Sequence, residues 1–88
     1  VLFNRDPRLS LALAARLRDA GYHVGENEPY QLGDDSDYTV PVHAERRGLP
    51  YVELEIRQDL IAAASGQQDW ARLLAEALPL ALAASQEP

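Results

Sequence analysis

The residues best able to do chemistry lie in one short run, Glu53-x-Glu55-x-Arg57. In an extended backbone, alternate residues share a face, so two carboxylates and a guanidinium would stand about 6.5–7 Å apart at each step. Such a row can be the solvated face of a half-buried strand. It can also be catalytic: a Glu at the C-terminal end of a strand in an open α/β sheet faces the crevice where ligands bind. There it can act as a general base, with Arg57 orienting it or gripping a substrate carboxylate. His43 is a second candidate, with a plain alternative as an exposed His near a helix C-terminus. His23 has no polar partner nearby in sequence and reads as structural. Asn27, Tyr30 and Tyr38 add side chains that can give and accept hydrogen bonds, and Asp37 one that accepts them, although Asn and Asp also serve ordinary turns.

Several chemistries are excluded. The 88 residues contain no Cys, so there is no thiol nucleophile, disulfide frame or zinc ribbon. No His-x-x-His or His-Glu-x-x-His spacing occurs, and a complete metal site is not expected within the chain. Gly-rich phosphate loops and Gly-x-Ser-x-Gly elbows are likewise missing. The net charge of −6 argues against a nucleic-acid partner, which would call for a basic stripe. No apolar run approaches the ~18 residues of a membrane span, and the charged N-terminal residues do not resemble a signal peptide.

The elements that must position these groups follow from periodicity. Val1–Phe3 reads as the end of a strand. Asp6-Pro7 marks a helix start, Leu9, Leu13 and Leu17 give its buried stripe, and Gly21 its stop. Tyr22–Val24 is a short strand candidate. Residues 25–38 hold five acidic residues, two Gly and a Pro, with neither helical nor strand period. A connection of this length is more often functional or mobile than a simple joint. Thr39–Arg47 is expected as a short helix ended by Gly48, with a strand as its competitor. In Tyr51–Arg57, Val52, Leu54 and Ile56 alternate with charged residues, the clearest strand pattern in the chain. A final helix begins near Gly66 with a Ser65…Gln68 capping pattern, buries Trp70, Leu73, Leu74, Ala77, Leu78 and Ala81, and is kinked or ended at Pro79. This order predicts an α/β architecture with a mostly parallel or mixed sheet. Two or three short strands are too few for a sheet alone. With no Met at the start or elsewhere, the expectation is the last part of a longer domain.

Asn27-Glu28-Pro29-Tyr30, Asp37-Tyr38-Thr39, His43, Arg47-Gly48-Leu49-Pro50 and Glu53 to Ile61, in that order, resemble the C-terminal part of the N-formylglutamate amidohydrolase family. The resemblance extends back to Asn4–Leu9 and forward through Trp70. It implies a three-layer α/β/α fold with a mixed sheet, similar to zinc carboxypeptidases, of which only the C-terminal portion is present. It also implies a cytoplasmic, zinc-dependent enzyme of histidine degradation. That enzyme would hydrolyse the amide of N-formyl-L-glutamate, or a related small N-acyl amino acid, to formate and glutamate. Leu54-Glu55-Ile56-Arg57 is similar to the strand that carries the catalytic carboxylate, which singles out Glu55 over Glu53 as base and later acid. Arg57, His43, Asn27 and Tyr30 are the implied substrate contacts. The zinc ligands of the family lie in His-containing segments with no counterpart here, so the chain alone is expected to be inactive. The competing reading is a non-catalytic α/β binding or interaction module that uses the acidic loop as its contact surface.

Overall fold

The computed structural model describes residues 1–87. Helix α1 spans Arg8–Asp19 and helix α2 spans Ala64–Ser85. Between them lie a π-helical turn at Thr39–Ala44, a 3-10 turn at Glu45–Arg47 and another at Gln58–Leu60.

The expected three-layer α/β/α fold is not what forms. The chain is 53% helical, and its strand pairing among the described residues is one isolated antiparallel bridge between Leu2 and Glu53. The Leu2 N–H donates to the Glu53 carbonyl at 2.8 Å, and the Glu53 N–H donates to the Leu2 carbonyl at 3.4 Å. The alternation at residues 51–57 survives in part, since Val52 and Leu54 pack inward while Glu55 and Arg57 are exposed. Alternation makes a strand only where neighbours supply backbone partners, and Glu53 alone finds one in register. The Tyr22–Val24 segment forms no strand either: the Tyr22 N–H goes back to the Leu17 carbonyl, and the Val24 carbonyl accepts from the Arg18 guanidinium at 2.7 Å.

Helix α1 begins at Arg8 with Pro7 as its N-cap and no side-chain cap bond, so Asp6 sits one residue ahead of the cap position expected for it. Asp6 accepts from the Arg8 N–H at 3.2 Å and grips the Arg8 guanidinium through both carboxylate oxygens. The salt link holds the Asp6 carboxyl below its usual range. Leu9, Leu13, Ala14 and Leu17 form the buried stripe, with Leu13 fully enclosed. Burying such a leucine contributes about 1.5–3 kcal/mol. At the far end Gly21 adopts φ +96°, a conformation that suits Gly. Its N–H reaches the Arg18 carbonyl at 2.9 Å while the Tyr22 N–H reaches Leu17 at 3.0 Å, the paired bonds of a Schellman stop.

Helix α2 lies against α1, its small Ala77 and Ala81 permitting close approach at the shared core. Trp70 meets Tyr22 with ring centroids 4.9 Å apart, tilted by 55°. Two expectations for this helix need correction. It starts at Ala64 with no side-chain cap, so Ser65 and Gln68 do not form a capping box; Gln67 instead donates its side-chain amide to the Ile61 carbonyl at 3.0 Å. It also continues through Pro79 to Ser85. Pro79 and Ala75 both lie on the exposed face, so water can satisfy the Ala75 carbonyl that loses its donor.

A second cluster of Leu2, Leu32, Val40 and Tyr51, flanked by Phe3 and Ala44, sits under the acidic loop. Leu32 is 2% exposed and pins the middle of that loop to the body. The Thr39–Arg47 segment is helical as expected, but it is wound as a π-turn followed by a 3-10 turn, with Gly48 at φ +65° closing it. No helix among the described residues is long and apolar enough to cross a membrane.

Candidate active site

Glu55 lies on the extended segment that leaves the Leu2–Glu53 bridge, and its carboxylate is exposed. The Tyr30 hydroxyl donates to Glu55 Oε1 at 3.0 Å, joining the acidic loop to the carboxylate-bearing segment across 25 residues of sequence. The hydrogen bond to Glu55, together with its negative charge, raises the Tyr30 phenol above its ordinary pKa. Two residues further on, Arg57 pairs with Asp59 through Nε at 2.5 Å and Nη2 at 2.9 Å. That contact holds the Asp59 carboxyl below its usual range, although both side chains are well exposed.

Asn27 and His43 are placed differently. Asn27 adopts φ +54°, and its side-chain oxygen accepts from the Phe3 N–H at 2.9 Å, so it ties the loop to the N-terminal segment. His43 is exposed on the π-turn and meets the Tyr38 ring edge-to-face at 5.4 Å. Neither makes a hydrogen bond to Glu55 among the described residues. Of the five residues named from sequence, the structure therefore joins Tyr30 to Glu55 and sets Arg57 beside them.

Glu55 and Arg57 also line a cleft of about 370 Å³. Its other walls include Leu17, Tyr22, Val24, Ile56, Leu60 and Trp70, so an apolar surface meets one carboxylate and one guanidinium. Pockets of this size and composition are typical of small-molecule sites. From sequence, Tyr22 and Trp70 could only be read as core. Their shared wall exists because the Schellman turn directs Tyr22 back over α1 toward α2.

A separate polar knot was not legible at all. Glu45 Oε2 accepts from the Arg5 N–H at 2.7 Å, the Asp6 N–H at 2.9 Å and the Tyr51 hydroxyl at 2.8 Å, while Oε1 accepts from the Asn4 amide at 2.8 Å. The Asn4 amide also reaches Asp34 at 2.8 Å, and Arg5 pairs with Asp34. Burial would raise the Glu45 carboxyl, but the bonds from Tyr51, the backbone and Asn4 together hold it below its ordinary value. Tyr51, chiefly through burial and further through Glu45, is pushed up to about 12. The partners of Glu45 on the N-terminal segment lie 39–41 residues away, so no local pattern announces it.

The family model described as N-formylglutamate amidohydrolase matches residues 1–62 of the 88. The chain belongs to the N-formylglutamate amidohydrolase family. The matched stretch holds Asn27, Tyr30, His43, Glu55 and Arg57 and stops short of α2, so Trp70, which the motif resemblance had included, lies beyond it. No curated protein and no solved structure matches the chain at a significant level. The family is one of amidohydrolases. For zinc, the described residues do not suffice: no group of three or more His, Asp or Glu side chains gathers where it could hold a metal ion.

Proposed function

We propose that this chain supplies the proton-transfer carboxylate of an enzyme that hydrolyses the amide of N-formyl-L-glutamate or a related N-acyl amino acid. The observation that carries the reading is the Tyr30–Glu55 hydrogen bond, because both residues fall inside the family match. Water adds to the acyl carbon, Glu55 takes the proton released, and the same carboxyl then protonates the departing amine nitrogen. One water is consumed; the acid and the free amino acid leave. Tyr30 fills Oε1 and fixes the rotamer of Glu55, leaving Oε2 to exchange the proton.

Arg57 is the group suited to a substrate carboxylate. Its partnership with Asp59 is exposed on both sides, and such surface pairs are weak, so an incoming carboxylate can replace Asp59. Asn27 shapes the loop that delivers Tyr30, and His43 stands at its far end as a further substrate contact. A zinc ion in this enzyme would draw its ligands from elsewhere in a longer polypeptide, and the 88 residues alone would then be inactive.

The test is formate release from N-formyl-L-glutamate by the polypeptide expressed from its native reading frame, beside its Glu55→Gln variant. The expected loss is about 10²–10⁴-fold in kcat with metal content unchanged. A Glu55→Gln enzyme that keeps its rate would refute the assignment.

A further inference from the structure

We propose that His23 reads the side chain of the substrate, receiving its carboxylate on one side of the cleft while Arg57 holds the α-carboxylate on the other. The inference rests on the functional reading above and names the residue that selects an acidic amino acid within it. The N-terminal segment sets the geometry. On one side of it, the Val1 α-amino group donates to the Gly25 carbonyl at 2.9 Å and the Asn27 N–H donates to the Val1 carbonyl at 3.0 Å. On the other side, Leu2 pairs with Glu53. Neighbouring extended segments lie about 4.8 Å apart, so the two that flank this one stand roughly 10 Å from each other. His23 belongs to the first and Arg57 to the second, and both line the cleft. An N-acyl glutamate, with three carbons between its carboxylates, carries a charge for each side.

Three cationic groups face this space: Arg57, His23 and the Val1 α-amino group. Arg57 is two residues from Glu55, so it suits the α-carboxylate next to the scissile amide. The Val1 group is already bound to the Gly25 carbonyl, and burial lowers its pKa. Arg18, the nearest further guanidinium in sequence, is turned to Glu26 and the Val24 carbonyl. His23 is exposed, and its imidazole enters no hydrogen bond or ion pair among the described residues. An imidazole N–H can donate to a carboxylate whether the ring is neutral or charged. Leu60 and Trp70, elsewhere on the lining, offer a carboxylate no donor from their side chains that would replace water so well, and an unpaired charge there is unfavourable.

The test is formate release from N-formyl-L-glutamate and N-formyl-L-glutamine, which differ by one carboxylate, in the polypeptide expressed from its native reading frame. His23→Ala should lower the glutamate-over-glutamine ratio of kcat/KM about tenfold, with the loss falling on KM for the glutamate derivative. His23→Arg should restore the ratio. Binding is read apart from turnover by calorimetric titration of N-formyl-L-glutamate into the Glu55→Gln protein, where adding His23→Ala should weaken affinity about tenfold. Equal losses on the two compounds, an unchanged ratio or an unchanged affinity overturns the inference and leaves the amidohydrolase reading standing. If the parent releases formate from neither compound, that reading fails, and the titration still judges His23.

Discussion

Replacing Glu45 by Ala should remove a large fraction of this chain's folding stability. The carboxylate gathers four donors, two of them backbone N–H groups of Arg5 and Asp6, one the Tyr51 hydroxyl and one the Asn4 amide. A hydrogen bond to a charged group contributes about 1.5–3 kcal/mol when well shielded. Glu45 is half-buried, so solvent screening brings each bond to roughly 0.5–1 kcal/mol. The four together give about 2–4 kcal/mol, against a total of roughly 4–13 kcal/mol for a domain of this length. Glu45→Gln retains one acceptor oxygen but turns its amide toward at least one donor, so its loss should be intermediate.

The pH dependence gives the same reasoning a second handle. Glu45 titrates below the ordinary 4.5 in the folded protein, so its stabilisation is present above about that pH and is lost as pH falls through the folded value. Tyr51 titrates at about 12 in place of 10.0, so its contribution is complete below pH 10 and is lost as pH rises toward 12. Because Tyr51 is buried, that alkaline loss amounts to roughly 2 kcal/mol. Urea unfolding followed by far-UV circular dichroism from pH 3 to 12 measures both limbs. Glu45→Ala should make both limbs shallower, since Asp6 and Asp59 still titrate below their usual range and burial remains the larger cause at Tyr51. Tyr51→Phe should remove most of the alkaline limb, leaving the smaller share of the exposed Tyr30. If Glu45→Ala unfolds within about 0.5 kcal/mol of the parent at pH 7, the account of this knot is wrong.

Two further substitutions should act against usual expectation, and the same urea measurement checks each. Gly66→Ala, in a helix where Ala normally gains about 1 kcal/mol, should destabilise by about 1–3 kcal/mol, because the added Cβ runs into the Leu60 carbonyl oxygen, which belongs to the backbone and cannot swing aside. Ser10→Ala should be neutral or stabilising by up to about 1 kcal/mol, since the Ser10 hydroxyl is fully buried on α1 and has no hydrogen-bond partner.

What could be read in advance divides along the range of the forces involved. The Leu9–Leu13–Leu17 stripe and the Gly21 stop of α1 are local signals and operate as read, and Asp6-Pro7 marks the start to within one residue, although Pro7 and not Asp6 is the N-cap. The ends of α2 were misplaced for equally local reasons. Ala63 and Ala64 carry no capping side chain, yet the turn at Gln58–Leu60 and the Gln67 amide fix the start without one. The sheet failed at longer range. Val52, Leu54 and Ile56 alternate as a strand should, but a ladder needs consecutive partners, and Leu2 supplies a single one.

The candidate site falls on both sides of that divide. Glu55 and Arg57 were legible because period two in one segment sets them on the same side, and both indeed reach the cleft. Tyr30 was legible only as a member of a motif, since nothing in residues 25–38 fixes where the loop folds. What fixes it is Leu32, buried beneath the loop, together with the Asn27 oxygen bound to the Phe3 backbone. Both anchors depend on the N-terminal segment, and Glu45 holds the next residues of that segment in turn. The Tyr30–Glu55 contact is therefore coupled to a carboxylate outside the cleft. Loosening Glu45 should disturb the geometry of Glu55 before it unfolds the helices, whose shared core includes neither Glu45 nor Leu32.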